Sequence, residues 1–470
     1  MTTQVSILRC SGNRIVDAKG EEKILRGACL GGYLLQENFT NGFPGHEKAY
    51  RKAMLKVLGQ ERYDHFWNKF YEYFYAEADT KYFASLGLNL IRVAINYRHL
   101  NDDLEPDVIK QEGFKWIDRV IELNAAQGIY TIVDLHAAPG GQNFDWHSDN
   151  SLPEALLWEH KDFQDRTVRI WEAIAARYRG HPWVAGYNLL NEPTDESPGA
   201  TRLLDFYTRL AKAVRAVDPD HILCFDGNTF GADFSGFEAA GFTCENSIFS
   251  CHDYATYGFP GGPIYNGTSE DRAKLRKGYE RKAKYSKTTD TPVWNGEFGI
   301  VYATPDSDGA DWERVNDERY ACLRDQLRLY ADDRISWTIW LYKDIGVQGM
   351  VHTPEDSLWN RTFADSLAKK RKHALDFWGT DSTATERRFQ SALDFIKEEF
   401  PNALPSYPPW WSLRQHFFRR TLYSWISDNL CEEFVQPMAG MSLEELDQLA
   451  ASFKLENCVS RTKLIELLKE

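Results

Sequence analysis

The chain has 470 residues, with 55 Lys and Arg against 69 Asp and Glu for a formal charge of −14, and 43% of it is hydrophobic. That is enough apolar material for a large core, in one barrel-sized domain with an extension or in two or three ordinary domains. Its 27 Phe, 23 Tyr and 15 Trp exclude a disordered chain, and its acidity argues against nucleic acid as a partner.

The first residues hold no apolar run of signal-peptide length, and no later stretch is long enough to form a transmembrane segment. Eight Cys without a CxxC pair predict reduced, mostly buried thiols. The expectation is a soluble, cytoplasmic protein.

Residues 13–25 predict a hairpin turning at Lys19-Gly20 that plugs the bottom of the main domain. Eight short apolar runs then recur, at 26–32, 88–95, 129–135, 184–190, 222–225, 247–250, 292–294 and 336–341. Helical stretches lie between them at 61–86, 111–127, 163–179, 200–217, 269–285 and 311–331, with the weakest crossover between 225 and 247. This alternation predicts the α/β class and a closed (β/α)8 TIM barrel. An open doubly wound sheet is the alternative, but no GxGxxG follows the first run. The basic tract 269–287 predicts a solvated helix face.

Residues 384–400 predict the final barrel helix, so that 1–400 form the barrel with its hairpin and 401–470 a helical extension. PNALPSYPP at 401–409 breaks the chain. An aromatic, basic amphipathic helix is expected at 410–434, then short helices at 442–453 and 460–470. The stripe Trp410, Trp411, Phe417, Phe418, Tyr423 and Trp425 is expected to pack on the barrel; a wall for the apolar part of a ligand or peripheral lipid contact through 410–434 are the other readings.

Reacting groups of such barrels sit where strands end, so the polar residues near those ends are the candidates. Arg92 lies in LNLIRVAINY, His136 ends TIVDLH, and Asn191 and Glu192 end GYNLLNEP. His252 and Tyr254 follow FSCHDY, Glu297 ends PVWNGEFG, and Trp340 ends WTIW. Ends of the fourth and seventh strands face each other across a closed ring, so Glu192 and Glu297 are expected to meet over one pocket. Two carboxyls in that relation fit glycosidic cleavage, one protonating the leaving oxygen while the other attacks the anomeric carbon or activates water. Arg92 is the cation expected at Glu297. Asn191 suits a sugar hydroxyl, His136 and His252 suit hydroxyls or the carboxylates, Tyr254 suits the second carboxylate, and Trp340 suits a stacking floor. The loop GGQNFDWHSDN at 140–150 supplies Asn143, Asp145, Trp146 and His147, expected to wall a blind pocket that accepts chain ends. Asp145, His147 and Asp149 alternate as metal ligands do, but hydroxyl recognition is the preferred reading.

Arg92, His136, Asn191-Glu192-Pro193, His252-x-Tyr254, Glu297-Phe298-Gly299 and Trp340 together resemble the signature of glycoside hydrolase family 5, in the clan of retaining β/α-barrel glycosidases. RGACLGGYL at 26–34 and DLHAAPGGQN at 134–143 are similar more narrowly to its exo-β-glucanase, rutinosidase and glucosylceramidase-like branches. The resemblance spans about 26–341 and implies Glu192 as acid/base, Glu297 as nucleophile, retention, and neither metal nor cofactor. The continuation FDWHSDN departs from the extracellular glucanases, and the tail from Pro401 has no recognised counterpart. The expected function is a retaining, exo-acting β-glycosidase of a β-glucoside or related glycoside. The alternatives are a transglycosylase using the same intermediate and a non-catalytic carbohydrate-binding protein.

Overall fold

The computed structural model describes residues 6–375, 378–402 and 412–470. β1 (Arg9–Ser11) and β2 (Arg14–Val16) pair antiparallel, and the chain doubles back again at Lys19-Gly20, where the Lys23 N–H donates to the Ile15 carbonyl. Leu8, Ile15 and Leu25 are buried with Leu90, Ile132, Ile248 and Trp294 at the amino-terminal ends of the barrel strands. The hairpin therefore closes the bottom, with one more strand ahead of the expected turn.

Eight parallel strands form the barrel: β3 (Arg26–Leu34), β4 (Leu90–Asn96), β5 (Tyr130–Ala137), β6 (Val184–Asn188), β7 (Ile222–Asp226), β8 (Ser247–His252), β9 (Val293–Phe298) and β10 (Ser336–Ile339). They pair in chain order and β10 closes onto β3, with Trp337 opposite Arg26. This is the expected (β/α)8 barrel. Nearly every strand residue is buried, because helices cover one face and the barrel interior the other, so each strand reads as a continuous apolar run.

The helix expected at 61–86 is two helices, Glu47–Phe74 and Glu77–Ser85. Asp79 makes the break: its Oδ2 accepts the Ala76 N–H at 2.9 Å while Oδ1 receives Lys343 Nζ at 2.6 Å, both side chains buried. Phe114–Ala126, Lys161–Tyr178, Thr201–Val217, Ser235–Ala240, Ser269–Thr288 and Trp312–Asp332 complete the crossovers.

Beyond β10 the expectations need correction. The helix expected at 384–400 is broken into Thr383–Glu386, a 3-10 turn and Gln390–Glu399. It does not take the eighth helix position; Leu393 is buried instead with Trp146, Phe418 and Tyr423 near the loop after β5. The eighth slot goes to the end of the chain. β11 (Lys343–Asp344), β12 (Val351–His352) and β13 (Val459–Ser460) form a small sheet, and Thr462–Lys469 is the helix after it. Tyr82 OH donates to Ser460 Oγ on one flank and Lys463 pairs with Asp317 on the other, so this segment sits between the first and last barrel helices. Leu446, Leu449, Leu464, Leu467 and Leu468 join the same buried cluster as Phe70 and Leu323 of the barrel.

The helix expected at 410–434 appears as Leu413–Gln415, a π-helical stretch His416–Tyr423 and Ser424–Val435. Of its aromatic stripe Phe418 and Tyr423 are buried, Phe417 is half-buried and Trp425 is exposed. Trp410 and Trp411 lie outside the described residues. Among the described residues no helix is long and apolar enough to cross a membrane. All eight cysteines are unpaired, five of them buried.

Candidate active site

The carboxyl ends of the barrel strands carry a layer of buried polar groups, and Arg92 on β4 organises it. Its Nη1 donates to Glu297 Oε1 at 2.5 Å. Nη2 donates to Asn188 Oδ1 at 2.9 Å and to Asn191 Oδ1 at 2.6 Å, and stands 3.2 Å from Asp134 Oδ2. A guanidinium keeps its charge when buried, and its fork distributes that charge over acceptors from several strands and their ends. Tyr254 OH donates to Glu297 Oε2 at 3.0 Å, so both oxygens of that carboxylate are held. Burial raises the Asp134 carboxyl to about 7 despite Arg92.

Asn191 and His136 are locked by the same network. Asn191 Oδ1 is taken by Arg92, so its Nδ2 faces His136 Nε2 at 3.1 Å. His136 Nδ1 lies 2.7 Å from Asp134 Oδ2. The ring thus donates through Nδ1 and accepts through Nε2, which is the neutral form, and burial holds its pKa well below the ordinary value. Trp340 stacks on His136 with centroids 5.1 Å apart and planes at 21°. Its edge lies so close to β3 that a Cβ on Gly31 would come within 2.8 Å of the ring. The Trp340–Leu341 peptide is cis.

Glu192 faces Glu297 from the far side of the ring. Its backbone has φ 47°, a left-handed conformation that costs a non-glycine residue about 1–3 kcal/mol. Two bonds hold it there: Asp226 Oδ2 accepts the Glu192 N–H at 2.9 Å, and Asn143 Nδ2 donates to the Glu192 carbonyl at 3.0 Å. The carboxylate is bracketed by two imidazoles, with Oε1 2.6 Å from His252 Nδ1 and Oε2 3.1 Å from His147 Nε2. His252 also stands 3.7 Å from Glu297 Oε2, and one oxygen of each Glu and a nitrogen of His252 all lie within 4.8 Å of one another. A Cβ on Gly296 would come 2.9 Å from His252 Nε2, so glycine leaves room for that ring.

The electrostatics result from this packing. Burial pushes the Glu192 carboxyl up, but His252 and His147 outweigh it and hold it below the ordinary range. Burial pulls His147 down, yet its bond to Glu192 and the neighbouring carboxylates raise it to about 9. The Glu192–His147 pair therefore holds one proton at neutral pH.

Every sequence-predicted residue lines this cavity or contacts a catalytic-candidate carboxylate or one of its partners; Asn143 Nδ2 stands 2.7 Å from His147 Nε2 and also supports the Glu192 backbone. The cavity measures about 320 Å³. The alternating Asp145, His147 and Asp149 do not converge. Asp145 turns to the Trp146 N–H and Arg419, His147 to Glu192, and Asp149 to Asn96 and Arg98. Trp146 faces the His46 ring with centroids 4.7 Å apart.

The family model for cellulase (glycosyl hydrolase family 5) matches residues 49–346. A β-xylosidase of Phanerodontia chrysosporium is 48% identical over 469 residues, which are 99% of this chain and 98% of that protein. A probable glucan 1,3-β-glucosidase A of Aspergillus fumigatus is 25% identical over 387 residues, 74% of this chain and 89% of that protein. Among solved structures, the clostridial cellulose synthase subunit Z of Clostridioides difficile is similar in fold, with a TM-score of 0.52 at 17% identity over 73% of this chain and 99% of that chain. The chain belongs to glycoside hydrolase family 5. It is a glycosidase, an O-glycosyl hydrolase.

This family 5 glycosidase also uses residues that its sequence did not announce. Glu37 and Phe39 line the cavity from the loop after β3. Burial raises the Glu37 carboxyl well above the ordinary range, with Glu297, Asp145 and Glu192 adding to the effect and His147 opposing it. The strand-end rule reaches Glu37 once β3 is carried to Leu34 instead of Gly32. Asp226, which ends β7, falls under the same rule. Phe230, Trp378 and Arg419 have no such signal, since they come from irregular segments and the tail.

Proposed function

We propose that the protein is a retaining, exo-acting β-glycosidase that works by double displacement. The observation that carries this reading is the spacing of the two carboxylates, which bring one oxygen each within 4.8 Å around His252. Retaining enzymes place the pair about 5–5.5 Å apart and inverting ones about 6.5–9.5 Å, so the short spacing supports retention. Glu297 is the nucleophile. Arg92 and Tyr254 each hold one of its oxygens and aim it at the anomeric carbon. Glu192 is the acid: it passes the proton of the Glu192–His147 pair to the leaving oxygen as the glycosyl–Glu297 ester forms. It then takes a proton from the water that hydrolyses the ester, which restores the starting state.

The cavity of about 320 Å³ lies at the small end of ligand pockets and suits one sugar ring with part of a second. Trp340 offers the ring a stacking floor, and Glu37 and Asp145 offer hydroxyl partners. A β-linked xylose or glucose is the proposed glycone, the first favoured by the β-xylosidase name of the relative that matches 99% of this chain. The test is a panel of aryl β-xyloside, β-glucoside, β-galactoside and β-mannoside, with the anomer released followed by proton NMR. A first-formed α-anomer, or no turnover of any member, would overturn the reading.

A further inference from the structure

The pocket is walled partly by loops from the first half of the barrel and partly by a segment far along the chain, Arg419 standing 274 positions beyond the Asp145 that it meets. The loop after β3 brings Glu37 and Phe39 to the cavity, and the loop after β5 brings Asp145, Trp146 and His147. Residues 412–435 hold both loops. On the first, Asp428 Oδ1 accepts the His46 N–H and stands 2.9 Å from the His46 ring nitrogen, while Cys431 Sγ donates to the Pro44 carbonyl at 2.9 Å. The contact is tight enough that a Cβ on Gly45 would come 2.4 Å from Asp428 Oδ1. On the second loop, Arg419 Nη2 donates to Asp145 Oδ2, and the Arg420 guanidinium lies 3.9 Å over the Phe144 ring.

The sequence His416–Tyr423, HFFRRTLY, shows how this is built. Phe418 and Tyr423 are buried anchors, packed with Trp146, Leu375 and Leu393. The two arginines between them face the loop after β5, in a π-helical stretch whose wider turn is common at functional sites. Asp145 Oδ1 accepts the Trp146 N–H at 2.8 Å, so with Arg419 on Oδ2 the carboxylate is fixed from two directions. Arg419 lines the cavity itself.

We propose that residues 412–435 are the end wall of the glycone pocket, and that Arg419, acting through Asp145, is a positioning residue that limits the glycone to the single sugar at the cleavage point. This rests on the exo-glycosidase reading above. Arg419 fills the space that a further sugar on the non-reducing side would need, and it holds Asp145 as a preset acceptor for the terminal hydroxyls. A monosaccharide glycone then gains a fixed partner, while a disaccharide glycone meets a cation and a closed wall.

The test compares 4-nitrophenyl β-xyloside and β-glucoside with 4-nitrophenyl β-xylobioside and β-cellobioside, in the full-length protein and in Arg419→Ala and Arg419→Lys. Products are analysed so that release of the intact disaccharide is distinguished from stepwise removal of its terminal sugar. For Arg419→Ala the expected result is a KM for the better monosaccharide raised about tenfold with kcat little changed, and intact disaccharide release raised at least about tenfold relative to it. Arg419→Lys should lie between the two, because it keeps the charge and loses the fork. Circular dichroism melts show whether each variant is folded. Equal loss on both substrate lengths in folded variants, or no change in either, overturns the proposal. Release of intact disaccharide by the unmodified enzyme would overturn the proposal as well, whereas cleavage of internal bonds in a β-linked xylo- or gluco-oligosaccharide would overturn the exo reading, so the two failures are separable.

Discussion

Arg92 Nη1 lies 2.5 Å from Glu297 Oε1, and both side chains are buried. The same guanidinium stands 3.2 Å from Asp134 Oδ2, so one cation serves two buried carboxylates as well as Asn188 and Asn191. Arg92→Met leaves those carboxylates without a counter-charge. Removing one partner of a buried pair costs about 3–5 kcal/mol, and thermal unfolding should fall accordingly. Arg92→Lys keeps the charge but cannot fork, and kcat/KM on an aryl β-glycoside should drop by about 10²–10³ with a smaller loss of stability. A lysine variant with unchanged kinetics would remove Arg92 from the role given to it.

In the proposed mechanism the proton shared between Glu192 and His147 sets the pH dependence of kcat/KM. His147 titrates at about 9 in the folded protein against an ordinary value of 6.5. Its contribution to stability is therefore complete below about 6.5 and lost as the pH rises through about 9. Asp134 is raised from 3.8 to about 7, so it acts in the same direction over a lower range, the fold losing stability progressively as the pH climbs from about 3.8 to about 7. For the reaction, deprotonating the Glu192–His147 pair removes the proton owed to the leaving oxygen. The basic limb of kcat/KM should then fall near pH 9. In His147→Gln no imidazolium holds that proton, and the limb should move down by about one pH unit or more. Profiles of the two proteins on one aryl glycoside decide it; superimposable basic limbs would contradict the shared proton.

The barrel is legible because strands buried on both faces write themselves as apolar runs, and their carboxyl ends then point to Arg92, His136, Glu192, His252 and Glu297 without any contact information. The break at Tyr75-Ala76 is not, because Asp79 looks like any polar residue on a helix until Lys343, 264 positions away, is seen against it. Asp145, His147 and Asp149 do share one loop, yet their alternation carries nothing about partners: Arg419, Glu192 and Arg98 arrive from three other segments. Periodicity predicts helices in the tail but not where they dock. It accordingly offers 384–400 for the eighth helix position, which Thr462–Lys469 fills.

Asp226 holds the Glu192 backbone in its left-handed turn, accepting the Glu192 N–H on Oδ2 and Asn188 Nδ2 on Oδ1, each at 2.9 Å. Asp226→Asn turns one of these contacts into a donor facing a donor, at a cost of about 1–3 kcal/mol. If Glu192 acts on the leaving oxygen, as proposed, kcat should fall about 10–100-fold with KM nearly unchanged. Steady-state kinetics on an aryl glycoside would show this, and a rise in KM at constant kcat would mean that Asp226 serves the sugar instead.

At the end of the chain, the helix Thr462–Lys469 closes the outer ring of the barrel. Leu464, Leu467 and Leu468 are 0%, 4% and 4% exposed, and burying such a side chain contributes about 1.5–3 kcal/mol. Three of them amount to roughly 5–9 kcal/mol against the total of about 5–15 kcal/mol by which domains are stable. Removing residues 459–470 also takes β13 from β12 and Ser460 from the Tyr82 hydroxyl. The shortened chain should fail to accumulate as folded protein, while Leu464→Ala and Leu467→Ala alone should each lower stability by about 2–5 kcal/mol and leave kcat intact. Soluble yield, circular dichroism and activity of the three proteins test this. A truncated chain that melts like the full one would mean that the barrel closes without its last helix.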